Sequence, residues 1–380
     1  MDFRLSDEQR LLQEQVGRFI AGEYTPEKRR TYMKQADGFS RDNWRKLAEL
    51  GLLGLPLPES AGGSAGSAID VMVVMEQFGR SLVVEPYLGS VVLCGSILKQ
   101  LGAADLLARL AAGDVLLAFA HGERQARYTL DDVETAARRD GDGFVLNGQK
   151  SVVLHGDSAD ALIISARTSG ASRDRHGLSL FVVPRGAKGL TVRGSPTIDG
   201  LRSAEVALAD VRVGADALLG PPDRAYPAIE RAVDAAIAAV CAEAVGAMAV
   251  LIETTLDYLK TRQQFGAPIG RNQALQHRMV DVQIAYEQAK SMACLAAMTA
   301  DSDDDTARRR AISAAKVQIG RSGKFIGQQA VQLHGGIAMT DEYKVGHYFK
   351  RLTMIGAQFG DTDHHLGLFA ALAGMDAEAA

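Results

Sequence analysis

The chain has 380 residues, 47% of them hydrophobic, which is enough for two or three packed units rather than one small core. Its 42 basic and 46 acidic side chains leave a net charge of −4, so no basic surplus exists to condense on nucleic acid or anionic lipid. Cys94, Cys241 and Cys294 lie far apart with no metal or redox spacing, and read as small buried side chains in a reducing compartment. The opening MDFRLSDEQRLLQEQV enters an amphipathic pattern without signal or transit features. Asp234 and Glu243 break up the Ala- and Val-rich stretch around 235–250, so the expectation is a soluble cytoplasmic protein with no membrane span.

From Ser6 to about Gly113 the periodicity is helical, with Ser6 and Gln9 spaced as a capping box and Ser40 and Asp42 ahead of a helix through Trp44, Leu47 and Leu50. The Pro- and Gly-rich stretch at 53–63 is a connector with a sharp turn before a helix from Ile69 to Gly79. Between about Val115 and Gly220 the pattern changes to short alternating apolar runs separated by Gly, Asp and Asn turns, which predicts an antiparallel β barrel or sandwich. After Pro221 and Pro222 long helices return, at roughly 225–262, 272–300 and 306–333, with the acidic loop DSDDD at 301–305. The predicted architecture is α+β: an N-terminal α domain over 1–113, a β barrel over 114–222 and a four-helix bundle over 223–380.

Two C-terminal stretches, RQQFGAPIGRNQALQHRMVD at 262–281 and QLHGGIAMTDEY at 332–343, resemble the acyl-CoA dehydrogenase signatures. The resemblance continues in WRKLAELGLLGLPLPESAGG, GDGFVLNGQK and ADVRVGADALLG. A guanidinium can pair bidentately with pyrophosphate oxygens and a Gly-Gly pair lets backbone approach a flat cofactor, whereas the plainer reading makes Arg262 a helix cap and the glycines a turn. The resemblance implies FAD as cofactor, with contacts from Arg262, Gln264, Phe265, Gln273, Gln332, Gly335 and Gly336. It also implies an acyl-CoA thioester as substrate, a homologous subunit in a dimer or tetramer, and an electron-transfer flavoprotein as electron acceptor.

Departures from the family pattern fall on the chemistry. Counting from Gly336 places Phe359, or Gly360 after a one-residue shift, where the family has a catalytic Glu, and neither can take a proton; the alternative base position on the helix before Arg262 holds Ala236. Glu243 and Asp361 are the candidate substitutes. Glu243 reads as a base or as a paired structural carboxylate; Asp361 reads as a base, a helix cap or a partner of His364. The flavin-binding Thr-Glu-Pro segment is replaced by AHGERQARYTLDD, which keeps Glu123, and the Trp-x-Thr motif by Val152-Val153-Leu154. His364 and His365, with Asp361 and Asp363, form no metal site, because adjacent histidines on a helix diverge and no distant ligand completes a shell. The kept and lost residues together resemble the small subunit of heteromeric acyl-CoA dehydrogenases of the pimeloyl-CoA or steroid side-chain type. The competing readings are a self-sufficient homo-oligomer with a displaced base, a flavin monooxygenase on the same fold, and a non-catalytic assembly subunit.

Overall fold

The computed structural model describes residues 4–374. In chain order come α1 (Asp7–Glu23), α2 (Pro26–Met33), α3 (Arg41–Glu49), α4 (Ala68–Ser81), α5 (Gly95–Leu101) and α6 (Ala104–Ala111). Ser6 caps α1 as expected: its hydroxyl accepts from the Gln9 N–H while its own N–H donates to the Gln9 side chain. Ser40 caps α3 by accepting from the Asn43 N–H. The segment Tyr87–Cys94, buried throughout, winds as a π-helix into α5. The strands are β1 (Leu117–Ala120), β2 (Ala136–Asp140), β3 (Gly143–Leu154), β4 (Ala161–Arg167), β5 (Leu178–Pro184), β6 (Leu190–Pro196), β7 (Arg202–Val213) and β8 (Leu218–Leu219). The helices α7 (Tyr226–Thr261), α8 (Gln273–Ala300) and α9 (Asp305–His334) match their expected spans to within a residue at each end. The short strands β9 (Gln263–Gln264) and β10 (Ala267–Pro268) lie between α7 and α8, and α10 (Lys344–Ala357) and α11 (Thr362–Leu372) close the chain.

Contacts gather the chain into two compact units that cut across sequence thirds. One contains residues 30–66 and 84–236. Its sheet runs in the order β6-β7-β3-β2-β4-β5-β8, with β1 on β4. Pairing is mixed rather than wholly antiparallel, because β1 and the first residue of β2, Ala136, both lie parallel to β4 on the edge opposite β5. Two strands share that edge because β2 must also form an antiparallel hairpin with β3, which fixes its direction. β2 carries no strand signal in the sequence, because AARRD has no apolar alternation and is mostly exposed. Phe144, Leu146, Ile164, Phe181 and Val206 form the centre of the sheet's apolar core. Trp44 of α3 is buried, edge-on to Phe39, and the Tyr87 hydroxyl donates to the Leu52 carbonyl at 3.0 Å.

The other unit is helical and draws on residues 4–29, 67–83 and 237–374. Here α4 crosses α7 closely enough that a methyl on Gly79 would lie 1.9 Å from the Glu243 carbonyl oxygen, and one on Gly246 would lie 1.9 Å from that of Glu76. Only glycine fits at either position without the two backbones moving apart. Beyond that crossing, α7, α8 and α9 interdigitate through Leu251, Val282, Ile326 and Leu333. By length and composition α7 could cross a membrane, but 89% of its most apolar stretch is buried inside the protein. Its apolar character comes from being a core helix, and Asp234 and Glu243 are buried along with it.

Candidate functional site

The helical unit presents the residues that the sequence singles out for the nucleotide. At the end of α7, the Arg262 N–H still donates to the Tyr258 carbonyl, and the chain then folds back as the β9–β10 hairpin. Both central residues of that turn, Phe265 (φ 53°) and Gly266 (φ 77°), adopt left-handed backbone, which a two-residue hairpin requires. An aromatic residue rarely accepts that conformation, and Phe265 is fully exposed at 103%. Arg262, Gln264 and, at the start of α8, Gln273 are exposed alongside it.

At the far end of α9 the Gln332 side chain is exposed, and Gly335 ends the helix at φ 67°, ψ −147°. A residue with a Cβ is strained there, and methyl groups on Gly335 or Gly336 would meet nothing within 4 Å. The backbone at this helix end is therefore open to a planar group.

The candidate bases are engaged elsewhere. Glu243 is 5% exposed, and its two oxygens accept from Arg351 of α10, Nε to Oε1 at 2.5 Å and Nη2 to Oε2 at 2.6 Å. That bidentate fork commits both carboxylate oxygens to the Arg351 guanidinium. Asp361 is the N-cap of α11, with Oδ1 accepting from the His364 N–H at 2.9 Å. Ala236 is completely buried within α7.

Phe359, at the family's base position, sits in a turn with left-handed backbone (φ 58°). That turn is tied from two sides. Lys316 of α9 donates to the carbonyls of Ile355 at 2.8 Å and Gly360 at 2.7 Å. The His365 ring lies with Nε2 3.0 Å from the Phe359 carbonyl and Nδ1 3.3 Å from the Ser313 hydroxyl. Burial lowers the Lys316 ammonium to about 8 and the His365 imidazole to about 4. Both nitrogens of His365 are thereby occupied by the protein.

In the sheet unit, the segment that replaces the flavin loop is organised around a buried network. Lys150 of β3 donates to Glu123 Oε1 at 2.7 Å, to the Ser165 hydroxyl at 3.0 Å and to the His121 carbonyl at 3.2 Å. Glu123 also accepts from the backbone N–H groups of Glu134 (2.8 Å) and Thr135 (3.1 Å) and from the Gln125 amide. Burial pushes the Glu123 carboxyl up, but the Lys150 charge and these hydrogen bonds outweigh it and hold the carboxyl at about 2. Burial, reinforced by Lys150, lowers His121 to about 3; burial lowers Lys150 to about 8 against the pull of Glu123.

At the end of β3 a register shift between Lys150 and Val153 turns Val152 outward, 65% exposed at φ 54°, while Val153 packs inside. Leu154 follows, half-buried and with no hydroxyl to offer a flavin ring. Sequence reasoning did not single out Lys150, Lys316 or Arg351. The signal available was a cation inside an apolar strand or helix pattern.

A helical unit with an exposed guanidinium and an open Gly-Gly turn, joined in one chain to a sheet unit of mixed pairing, defines a protein of the α+β class. Residues 6–113, 118–211 and 227–372 match, in turn, the N-terminal, middle and C-terminal domains of acyl-CoA dehydrogenase. The acyl-CoA dehydrogenase FadE12 of Mycobacterium tuberculosis is 31% identical over 355 residues, which cover 90% of this chain and 89% of that protein. The ChsE4–ChsE5 complex of Mycobacterium tuberculosis superimposes with a TM-score of 0.88 at 25% identity over the full length of both chains. The Tcur3481–Tcur3483 steroid enzyme superimposes at 0.86 with 27% identity, covering 98% of this chain and 99% of that one. The FAD complex of PigA does so at 0.90 with 26% identity, covering 99% and 100%. This chain belongs to the acyl-CoA dehydrogenase family, oxidoreductases that act on CH–CH groups with FAD as cofactor.

Proposed function

We propose that this chain is the base-lacking subunit of a heteromeric acyl-CoA dehydrogenase, which introduces an α,β double bond into an acyl-CoA thioester. The observation that carries this reading is the turn at Phe359. The family's proton acceptor is replaced there by a side chain that cannot take a proton, and the turn is tied by Lys316 and His365 rather than left open. The two candidate substitutes, Glu243 and Asp361, are engaged by Arg351 and by the start of α11. The α-proton then falls to a carboxylate of a homologous partner.

FAD, when bound, supplies the acceptor for the β-hydride. This chain's share is to hold the nucleotide end. Arg262 offers a charge-assisted fork to phosphate oxygens, Gln264, Phe265, Gln273 and Gln332 line its edge, and Gly335–Gly336 bring flat backbone against it. Leu154 and the rebuilt Glu123 loop support placing the ring contacts on the partner as well. The existence of a two-subunit ChsE4–ChsE5 complex on the same fold favours a homologous partner. The reading includes an electron-transfer flavoprotein as acceptor and a cytoplasmic location, the latter in keeping with Cys94, Cys241 and Cys294 all being free thiols.

The test is turnover of a panel of acyl-CoA thioesters with an artificial electron acceptor, first by the isolated chain and then by the chain with the homologous subunit that copurifies with it. The isolated chain is expected to fall short of the pair by at least about 10²-fold, the ordinary cost of a missing general base. Robust turnover by the isolated chain, abolished by Glu243→Gln or Asp361→Asn, would overturn the reading and identify the base.

A further inference from the structure

The two segments assigned to the nucleotide are far apart in sequence, and one buried side chain touches the structure behind both. His334, the last residue of α9, is 4% exposed. Its ring lies against Tyr258 of α7, with centroids 4.4 Å apart at 30°, and against Tyr343, with centroids 5.2 Å apart at 52°. The ring is also fixed in rotation, because Nδ1 lies 2.8 Å from the Ala330 carbonyl, and a carbonyl can only accept. With the hydrogen on Nδ1, the ring donates to that carbonyl.

Each neighbour anchors a piece of the nucleotide surface. Tyr258 accepts the Arg262 N–H at its own carbonyl at 2.8 Å, so wherever Tyr258 is held, the final turn of α7 and its guanidinium follow. Tyr343 is the N-cap residue of α10 and closes the loop that begins at Gly335, so the His334–Tyr343 contact pins that loop at both ends. Between the pins the loop has little internal packing. Residues 335–342 are exposed apart from Ala338, and the Gly335–Gly336 turn has no side chain of its own to hold it.

We propose that His334 is a positioning residue: its ring, wedged between Tyr258 and Tyr343, sets the Gly335–Gly336 turn against the end of α7 so that Arg262 and the two glycines form one preformed nucleotide surface. The inference rests on the reading above that these residues meet FAD. A wedge of this kind acts by preorganisation. Binding to a surface already in register avoids the ordering cost that a loose loop imposes at the moment of association.

The test compares His334→Ala, His334→Phe and Arg262→Ala in the flavin-loaded assembly, reading FAD affinity, the melting temperature and amide exchange at 335–337. His334→Ala should weaken FAD by about tenfold or more, with faster exchange confined to 335–337. Phenylalanine, which restores the ring without the Nδ1 hydrogen bond, should recover most of that loss. If His334→Ala leaves FAD affinity unchanged while Arg262→Ala loses flavin, the wedge is wrong and the nucleotide site stands. If Arg262→Ala itself leaves flavin content unchanged, the underlying site is wrong. Exchange that accelerates throughout α9 together with a lowered melting temperature, and is not recovered by phenylalanine, would make His334 a general core residue and overturn the proposal.

Discussion

Arg262 and His121 illustrate two kinds of polar residue in this chain, one exposed and proposed for a ligand, the other buried within the fold. Arg262→Ala removes a charge-assisted fork and should lower the flavin content of the assembly while leaving the melting temperature of the flavin-free protein unchanged, because the side chain is exposed. His121 is the reverse case. Its folded-state pKa is held at about 3 against an ordinary 6.5, so in that interval the unfolded chain binds a proton that the folded chain refuses. Stability therefore falls as pH drops from 6.5 toward 3, and Glu123, held at about 2 against 4.5, adds a loss of the same sign at the acid end. Denaturation midpoints across that range should slope accordingly, and His121→Asn should flatten the upper part of the slope. The turns at Phe265–Gly266 and Gly335–Gly336 were legible from sequence because turn residues at set spacing carry their meaning locally. Lys150 and Lys316 were not. A lysine in a sequence reads as a solvated charge until the chain folds carbonyls and carboxylates around it, and those partners are 15 to 44 residues away.

Among the elements, the long helices were legible because their apolar period persists over many turns and the caps punctuate it. The sheet was only half legible. Strands that alternate apolar and polar residues declare themselves, but the parallel alignment of β1 with β4 depends on which edge is vacant after β5 has paired, and no local pattern records that. Within the helical unit, the tie between α7 and α10 is the Glu243–Arg351 pair. Arg351→Met leaves the Glu243 carboxylate buried without its partner and should cost about 3–5 kcal/mol, whereas adding Glu243→Leu should recover most of it. A double-mutant cycle by chemical denaturation reads that difference directly. Gly246→Ala should also destabilise, by about 1–3 kcal/mol, because the added methyl meets the Glu76 carbonyl and not a movable side chain.

For the whole molecule, the expectation is that the chain purified from its source cell arrives with a homologous subunit, and that dissociating the two removes both flavin retention and turnover. Size-exclusion chromatography with flavin absorbance checks this, and a stable yellow homo-oligomer would count against it. The chain also carries its own probe for a different question. Trp44 is the sole tryptophan, and it is sealed in the unit that holds the sheet. Selective tryptophan fluorescence is therefore blind to the helical unit, while the far-ultraviolet dichroism signal is dominated by α7, α8 and α9, most of whose length lies there. If the two optical signals trace one melting curve, the units unfold as a single cooperative block. If they separate, the emission curve isolates the sheet unit's own transition, with no label attached and no residue changed.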